Sequence, residues 1–142
     1  MSKLPLTGGC LCGAIRYEIT AEPIGVNHCH CSICRRAAGA PFITWVTIAG
    51  DAFTFTSGTP AYFQSTPDVQ RGFCRDCGTT LTYANITHPE EADITAATLD
   101  DPELVTPEDH IWTGSMVSWL KFDDGLPRLE GSHWQHGYPN KE

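Results

Sequence analysis

Seven cysteines are the residues of this 142-residue chain with the most evident chemistry, and they fall into three groups. The groups are Cys10-Leu11-Cys12, Cys29-His30-Cys31-Ser32-Ile33-Cys34 and Cys74-Arg75-Asp76-Cys77. An odd number of cysteines cannot all be paired in disulfides. The N-terminal segment has no apolar stretch of signal-peptide length, so we expect a cytoplasmic, reducing setting. In that setting clustered cysteines are metal ligands or reactive thiols.

Two of the groups have spacings suited to one structural zinc site. Cys74 and Cys77 are three positions apart, and the glycine that follows, Gly78, can adopt the left-handed backbone of a tight turn. Cys10 and Cys12 form a second, narrower pair that also requires a turn. Together the two pairs would give a four-thiolate site with no open position, which is structural rather than catalytic.

The remaining cysteines, Cys29, Cys31 and Cys34, would leave one position open on a second ion. Three protein ligands and an open position are typical of a catalytic zinc. Closure of this site by His28 or His30 is an alternative that would make it structural, and other partitions of the seven cysteines remain open. Three thiolates around Zn²⁺ carry a net charge of about −1, which favours binding a substrate thiol over polarising water.

The sequence alone does not assign a role to two arginines next to the three-cysteine group or to two histidines near the C-terminus. Arg35 and Arg36 follow Cys34 directly. They offset the negative charge of the three-cysteine group, hold an anionic substrate, or lie solvated on the surface. His133 and His136 are spaced i, i+3 in a polar C-terminal tail. We expect both of these histidines to be exposed to solvent.

The elements that must position these residues are mostly short strands. Alternation of apolar and polar residues predicts strands over 14–20, 42–48, 53–56, 80–83 and 94–99. Residues Cys31 to Ala38 predict a short helix that begins at Ser32, and the acidic segment 100–109 predicts an exposed loop. The pattern indicates an all-β fold of antiparallel strands. We expect one domain over 1–142, with its core at about 8–131 and the polar tail after it.

The charge balance excludes some functions. With 9 Lys and Arg against 17 Asp and Glu, the formal net charge is −8. Binding to nucleic acid or to an anionic membrane surface needs clustered basic residues, which this sequence lacks. No apolar run approaches the roughly 18 residues of a membrane span. We therefore expect neither nucleic acid nor a membrane as a partner.

Three motifs together resemble the glutathione-dependent formaldehyde-activating enzymes, the family of the CENP-V/GFA domain. They are GCLCGAIRY at 9–17, NHCHCSICR at 27–35 and GFCRDCGT at 72–79. The later His110-Ile111-Trp112, Trp119 and Leu126-Pro127 are also similar to the family. The resemblance runs from about Gly8 to Gly131. It implies the Mss4-like β-tent, a fold of short antiparallel sheets built around zinc.

The resemblance also implies two zinc ions and a reaction. It assigns the first and last cysteine pairs to a structural zinc and the central three cysteines to a catalytic zinc. The family reaction joins glutathione and formaldehyde to give S-hydroxymethylglutathione, and in reverse it cleaves a carbon–sulfur bond. We therefore expect a zinc-dependent carbon–sulfur lyase whose partners are a small thiol, glutathione or another, and formaldehyde or another small aldehyde.

In this reaction the aldehyde oxygen becomes a hydroxyl oxygen, and an acid–base group must transfer the proton to it. The candidates are His28 and His30, beside the cysteines, and His110, which matches a family position. Three tryptophans could form the wall of the acceptor cleft or belong to the core: Trp45, Trp112 and Trp119.

Two other functions fit the same residues. The first is a non-catalytic module, stabilised by zinc, that binds a thiol metabolite or a protein partner. The second is redox sensing by the three central cysteines.

Overall fold

Short strands are the main regular elements in the computed structural model, which describes residues 3–137. In chain order the strands of this part are β1 (Leu6–Gly9), β2 (Arg16–Ile19), β3 (Gly25–Cys29), β4 (Ile43–Ala49), β5 (Phe53–Ser57), β6 (Ala61–Thr66), β7 (Val69–Phe73), β8 (Thr80–Asn85), β9 (Glu91–Thr95) and β10 (Asp109–Ile111). The helices are α1 (Ser32–Ala38) and α2 (His133–His136). Four 3₁₀ turns lie at Gly50–Ala52, Ala96–Thr98, Pro102–Leu104 and Thr113–Ser115.

The strands form two sheets. The smaller sheet has the order β1-β2-β5, and the larger has the order β10-β3-β4-β9-β8-β7-β6. Neighbouring strands are antiparallel except at one edge, where β10 pairs with β3 in parallel. This architecture confirms the predicted all-β class.

The main core contains side chains from both sheets. Tyr17 and Ile19 of β2, Val46 of β4, Leu81 of β8 and Ile94 of β9 are all at most 1% exposed. A second, smaller cluster includes Cys29, Cys34, Ile43, Trp45 and Ile111. Residues of β4 enter both clusters because adjacent side chains of a strand point to opposite faces. The sequence predicted this central position for β4, since its apolar residues are not restricted to one face.

Several predicted elements are confirmed at their positions, including the strands within 14–20, 42–48, 53–56 and 80–83. The helix α1 begins at Ser32 and is followed by Gly39, whose φ of 61° is left-handed. The strand predicted over 94–99 is wrong beyond Thr95. There the chain enters a 3₁₀ turn, in which the Thr98 hydroxyl donates to the Thr95 carbonyl over 2.8 Å.

The structure adds elements that the sequence did not predict. They are β1, β3, β6, β7, β10 and α2. Residue Asp109, placed in the predicted loop, instead begins β10, although most of 100–109 is turn or irregular chain. Neither helix within residues 3–137 has the length and apolar character that crossing a membrane would require.

Candidate active site

Four cysteines from distant parts of the chain converge on one point. The sulfur atoms of Cys10, Cys12, Cys74 and Cys77 all lie within 4.8 Å of one another. The Cys10–Cys12 and Cys12–Cys74 sulfur separations are 3.6 and 3.8 Å. A tetrahedral zinc with Zn–S bonds of about 2.3 Å would hold its sulfurs about 3.8 Å apart. The donor set and its spacing therefore fit a zinc ion.

Two tight turns, each ending in a glycine, present these sulfurs. The amide of Gly13 donates to the Cys10 carbonyl over 3.1 Å, and the amide of Gly78 donates to the Cys74 carbonyl over 2.8 Å. Both glycines have a positive φ, 81° and 80°, which a residue with a Cβ rarely adopts. The glycine after each cysteine pair is therefore needed to close the turn.

Backbone amides and a hydroxyl form hydrogen bonds with sulfurs of this cluster, and the pKa values of Cys10 and Cys77 are lowered. The amide of Ile15 lies 3.3 Å from Cys10 Sγ, and the amide of Cys77 lies 3.5 Å from Cys74 Sγ. The Thr79 hydroxyl and nearby amides lower the pKa of Cys77 to about 5. Thiolates are the form that binds metal.

The other three cysteines lie where β3 passes into α1. Cys29 ends β3, Cys31 precedes the helix and Cys34 lies within it, with 3.5 Å between the sulfurs of Cys29 and Cys34. Hydrogen bonds from the thiols of Cys29 and Cys34 lower the pKa of Cys31 to about 2, and the contact with Cys31 raises the pKa of Cys29. The three sulfur atoms of this trio, unlike those of the four-cysteine cluster, do not all lie within 4.8 Å of one another. Its sulfurs are thus gathered less tightly than the first four.

A buried arginine that the sequence analysis missed faces the trio. Both terminal nitrogens of Arg71 lie 3.5–3.6 Å from Cys34 Sγ, and the side chain is only 6% exposed. Its Nε donates to Ser65 Oγ over 3.1 Å, which fixes the guanidinium plane. The predicted alternatives Arg35 and Arg36 do not line the cavity at the trio, and Arg36 is exposed. The cation that offsets the charge of the trio therefore comes from β7.

A cavity of about 400 Å³ opens beside the trio. Trp45 and Trp112 lie in its wall, as the cleft prediction required, whereas Trp119 is 69% exposed and lies elsewhere. The remaining wall includes Asn27, Arg71, Tyr83, Asp93, Ile111 and His133. The cavity is therefore apolar with a few convergent polar groups, which is typical of small-molecule sites.

The three histidines predicted as acid–base candidates are not part of this wall. Along β3, Asn27 and Cys29 line the cavity, while His28 between them donates or accepts a 2.8 Å hydrogen bond with Thr44 Oγ1. His30 Nε2 lies 2.9 Å from His110 Nδ1, in a separate cluster. Their catalytic assignment stays a prediction, and the structure does not bring them to the cavity that the cysteines line.

His133 corrects the expectation of an exposed tail. It is only 7% exposed, it lines the cavity, and its Nε2 donates to Asp109 Oδ2 over 2.6 Å. The short helix α2 places it there, with the Ser132 amide bonded to Gln135 Oε1. The sequence Ser-His-Trp-Gln has the capping-box spacing that signals a helix start. His136 is exposed, as expected, and residues 138–142 of the predicted tail lie outside the described chain.

Asp93 is a second titratable group in the wall that the sequence did not single out. It lies on β9 and accepts a hydrogen bond from the Thr47 hydroxyl. Burial raises the pKa of Asp93 from 3.8 to about 7. A carboxyl group that titrates near neutrality beside a nucleophile-bearing cavity is a candidate for proton transfer.

Comparison with known proteins agrees with this arrangement. The family model described as glutathione-dependent formaldehyde-activating enzyme matches residues 5–115. The chain belongs to this family. All seven cysteines and Arg71 lie within the matched residues, whereas His133 lies beyond them.

Individual relatives support the family membership. A Halomonas elongata protein, provisionally named as a glutathione-dependent formaldehyde-activating enzyme, is 27% identical over 96% of this chain and 90% of its own length. An uncharacterised lyase of Schizosaccharomyces pombe is 32% identical over 54% of this chain and 56% of its own length. A crystal structure of a Rhodobacter sphaeroides protein matches with a TM-score of 0.60 and 23% identity, covering 87% of this chain and 98% of that one. The fold is therefore the expected Mss4-like β-tent of the family.

Removing one ligand of the four-cysteine cluster should unfold the protein. Structural zinc contributes on the order of 10–16 kcal/mol, whereas whole domains are stable by about 5–15 kcal/mol. We expect Cys77→Ser to lose about one zinc per chain and its cooperative melting transition, followed by circular dichroism and metal analysis. The control is Cys31→Ser, in a group confined to one short segment that closes no long loop. A Cys77→Ser protein that melts near the parent temperature would contradict a structural zinc here.

Asp93 should make stability depend on pH. Between about pH 4 and 7 the folded protein keeps the Asp93 proton that the unfolded chain releases, so the contribution of Asp93 to the free energy of unfolding falls as pH rises through this window. Below this window both states are protonated and the contribution is constant. We expect Asp93→Asn to remove this dependence in urea unfolding series, while the exposed Asp51→Asn keeps it. Identical pH profiles for both variants would contradict the raised pKa.

Proposed function

We propose that this protein is a zinc-dependent carbon–sulfur lyase that adds a small thiol, such as glutathione, to formaldehyde or another small aldehyde. The observation that carries the proposal is the cavity of about 400 Å³ with Cys29, Cys31, Cys34 and Arg71 in its wall, in a member of this family. The reverse reaction cleaves the carbon–sulfur bond of the adduct. In this proposal the four-cysteine cluster holds a structural zinc.

The donor atoms of the trio suit a second zinc. Thiolate sulfur is a soft ligand that zinc accepts, and the 3.5 Å separation of the Cys29 and Cys34 sulfurs is close to the value of about 3.8 Å for two ligands of one tetrahedral ion. Cys31 Sγ would have to move closer to these two sulfurs to bind the same ion. A zinc ion held by the trio would lower the pKa of a bound thiol and keep it as a thiolate. Arg71, with two nitrogens at Cys34, reduces the negative charge that an anionic thiol must approach.

The cavity wall offers a hydrogen-bond acceptor to the substrate. Asn27 is 3% exposed, and its Oδ1 has no hydrogen-bond partner among the described residues. A buried polar atom without a partner costs about 1–3 kcal/mol, which a ligand N–H would recover. This favours a thiol that carries amide or amino groups. Such a thiol would lie against the apolar surface of Trp45 and Ile111.

We assign the proton transfer of this reaction to His133. Formation of the adduct joins the thiol sulfur to the aldehyde carbon, the carbonyl electron pair moves to oxygen, and the proton of the thiol ends on that oxygen. His133 lines the cavity, and Asp109 accepts from its Nε2, which fixes the ring and its tautomer. His133 would accept the thiol proton and return it to the carbinol oxygen, with Asp109 as a positioning residue.

The proposal is tested by mixing the zinc-loaded full chain with formaldehyde and glutathione, then with other small thiols. Adduct formation is followed by NMR exchange spectroscopy against the uncatalysed reaction. We expect a rate above background that Cys31→Ser abolishes while the exposed Arg36→Gln retains it. No rate enhancement with any thiol would reject the enzyme. Glutathione binding without turnover would favour the non-catalytic binding module.

The role of His133 is tested by a matched pair of variants in α2. His133→Gln should lower kcat by about 10²–10⁴-fold with KM little changed, because the acid–base contribution acts in the transition state. The control is His136→Gln, which changes an exposed histidine three positions away. Asp109→Asn should lower kcat as well, since it leaves the His133 ring free to reorient. Full activity of His133→Gln would assign the proton to another group.

A further inference from the structure

A second group of ligating side chains lies away from the cavity. The ligand atoms of His28, His110 and Asp124 all lie within 4.8 Å of one another. The geometry points to a separate binding site for a divalent transition-metal ion, formed by these two imidazoles and one carboxylate. This inference does not depend on the proposed activity, because none of the three residues lines the cavity in the described chain.

Strand pairing brings the two imidazoles together. In the parallel register of β10 on β3, His110 lies directly opposite His28, and their ring centroids are 4.9 Å apart. Asp124 comes from the turn that follows. Its Oδ1 accepts from the amide of Leu126 over 3.1 Å, and its Oδ2 lies 2.8 Å from His110 Nε2. The ligands thus come from three segments and converge from fixed positions.

Each imidazole has an outer partner on its other nitrogen. His28 Nδ1 lies 2.8 Å from Thr44 Oγ1, and His110 Nδ1 lies 2.9 Å from His30 Nε2. Histidines that bind metals nearly always use the second ring nitrogen in such a bond, which fixes ring orientation. In both residues this leaves Nε2 as the ligating atom. Outer partners of this kind are typical of histidines in metal sites.

The surroundings combine an apolar wall with access from solvent. The ring of Phe42 packs at 5.0 Å from His28, and the ring of Phe122 packs at 4.4 Å from His110. Apolar walls lower the local dielectric and strengthen the attraction between an ion and its ligands. The Asp124 side chain is 30% exposed, so an ion can enter from that side.

These ligands would give a bound ion a different charge and reactivity from those of an ion at the cysteine sites. Two neutral imidazoles and one carboxylate with a divalent ion carry a net charge of about +1, opposite in sign to the three-thiolate site. Nitrogen and oxygen ligands suit zinc, cobalt, iron(II) or manganese, with positions left for water. An ion here would be harder and more electrophilic than one held by sulfur.

Without an ion the same groups form a hydrogen-bonded chain with a defined proton arrangement. The carboxylate of Asp124 can only accept, so His110 carries its proton on Nε2 and receives one from His30 Nε2 at its Nδ1. An ion on His110 Nε2 reverses this order. His110 then carries its proton on Nδ1 and donates to His30 Nε2, whose own proton moves to Nδ1. A change of tautomer at His30 therefore indicates that an ion has bound at His110.

The experiment starts from the full chain loaded with zinc at its cysteine groups only. This protein is titrated with Co²⁺, and cobalt per chain is measured together with the ¹⁵N shifts of the histidine rings. The wild-type protein should bind one more cobalt ion than Asp124→Asn, or bind it at least about tenfold more tightly. This ion should lack the strong near-ultraviolet band of thiolate ligation and should switch the His30 tautomer. The matched control is Asp123→Asn, which removes a neighbouring exposed carboxylate and should bind as the wild type does.

Two outcomes would overturn the site. One is equal cobalt uptake by the wild type and Asp124→Asn. The other is an extra ion that shows thiolate bands and leaves the His30 tautomer unchanged. Asp124 lies at the surface, so its conservative substitution should fold, which can be checked from the unchanged melting transition. Loss of catalytic activity plays no part in the readout, so failure of the proposed enzyme leaves this test intact.

Discussion

The parallel pairing of β10 with β3 is the constraint on which both candidate sites depend. Adjacent residues of a strand point to opposite faces, so this three-residue strand serves two sites at once. Asp109 contacts His133 and Ile111 lines the cavity, while His110 between them joins His28 on the other side. Because the register is fixed by backbone hydrogen bonds, each site inherits its geometry from the same pairing.

The distribution of charge around the cysteines follows from a second constraint. A cluster of thiolates in a half-buried setting needs positive charge nearby, since unpaired buried charges are strongly unfavourable. The four-cysteine cluster meets this need with backbone amides and, in the proposed zinc form, with the ion. The trio has in addition the buried guanidinium of Arg71, held in place by Ser65. The two groups therefore differ in environment as well as in ligand number.

The sequence predicted the features that depend on local spacing. A few neighbouring residues are enough to indicate each of these features. They are the cysteine pairs with their glycines, the helix α1, and the alternating strands such as β2 and β8. Arg71, Asp93 and Asp109 escaped notice because each is one polar residue in a strand, and its role depends on partners brought by sheet pairing. The sequence placed His133 in an exposed polar tail, yet its ring is buried and forms a hydrogen bond with Asp109, 24 positions away. The sequence singled out His28 and His30 by their nearness to the cysteines and His110 by the family resemblance. Neither ground says which face of the sheet a side chain points to.

The C-terminal segment of the described chain forms one side of the cavity. This segment lies beyond the residues that the family model matches. Ser132, His133 and Trp134 stand in the wall, while all seven cysteines lie within residues 5–115. In the proposed function the cysteines and part of the substrate-facing wall therefore lie within the matched stretch, whereas the rest of the wall, including His133, lies outside it. Substitutions of Ser132 and Trp134 would reshape this side of the cavity without disturbing the cysteine framework or His133, which makes these two positions suited to a change of specificity.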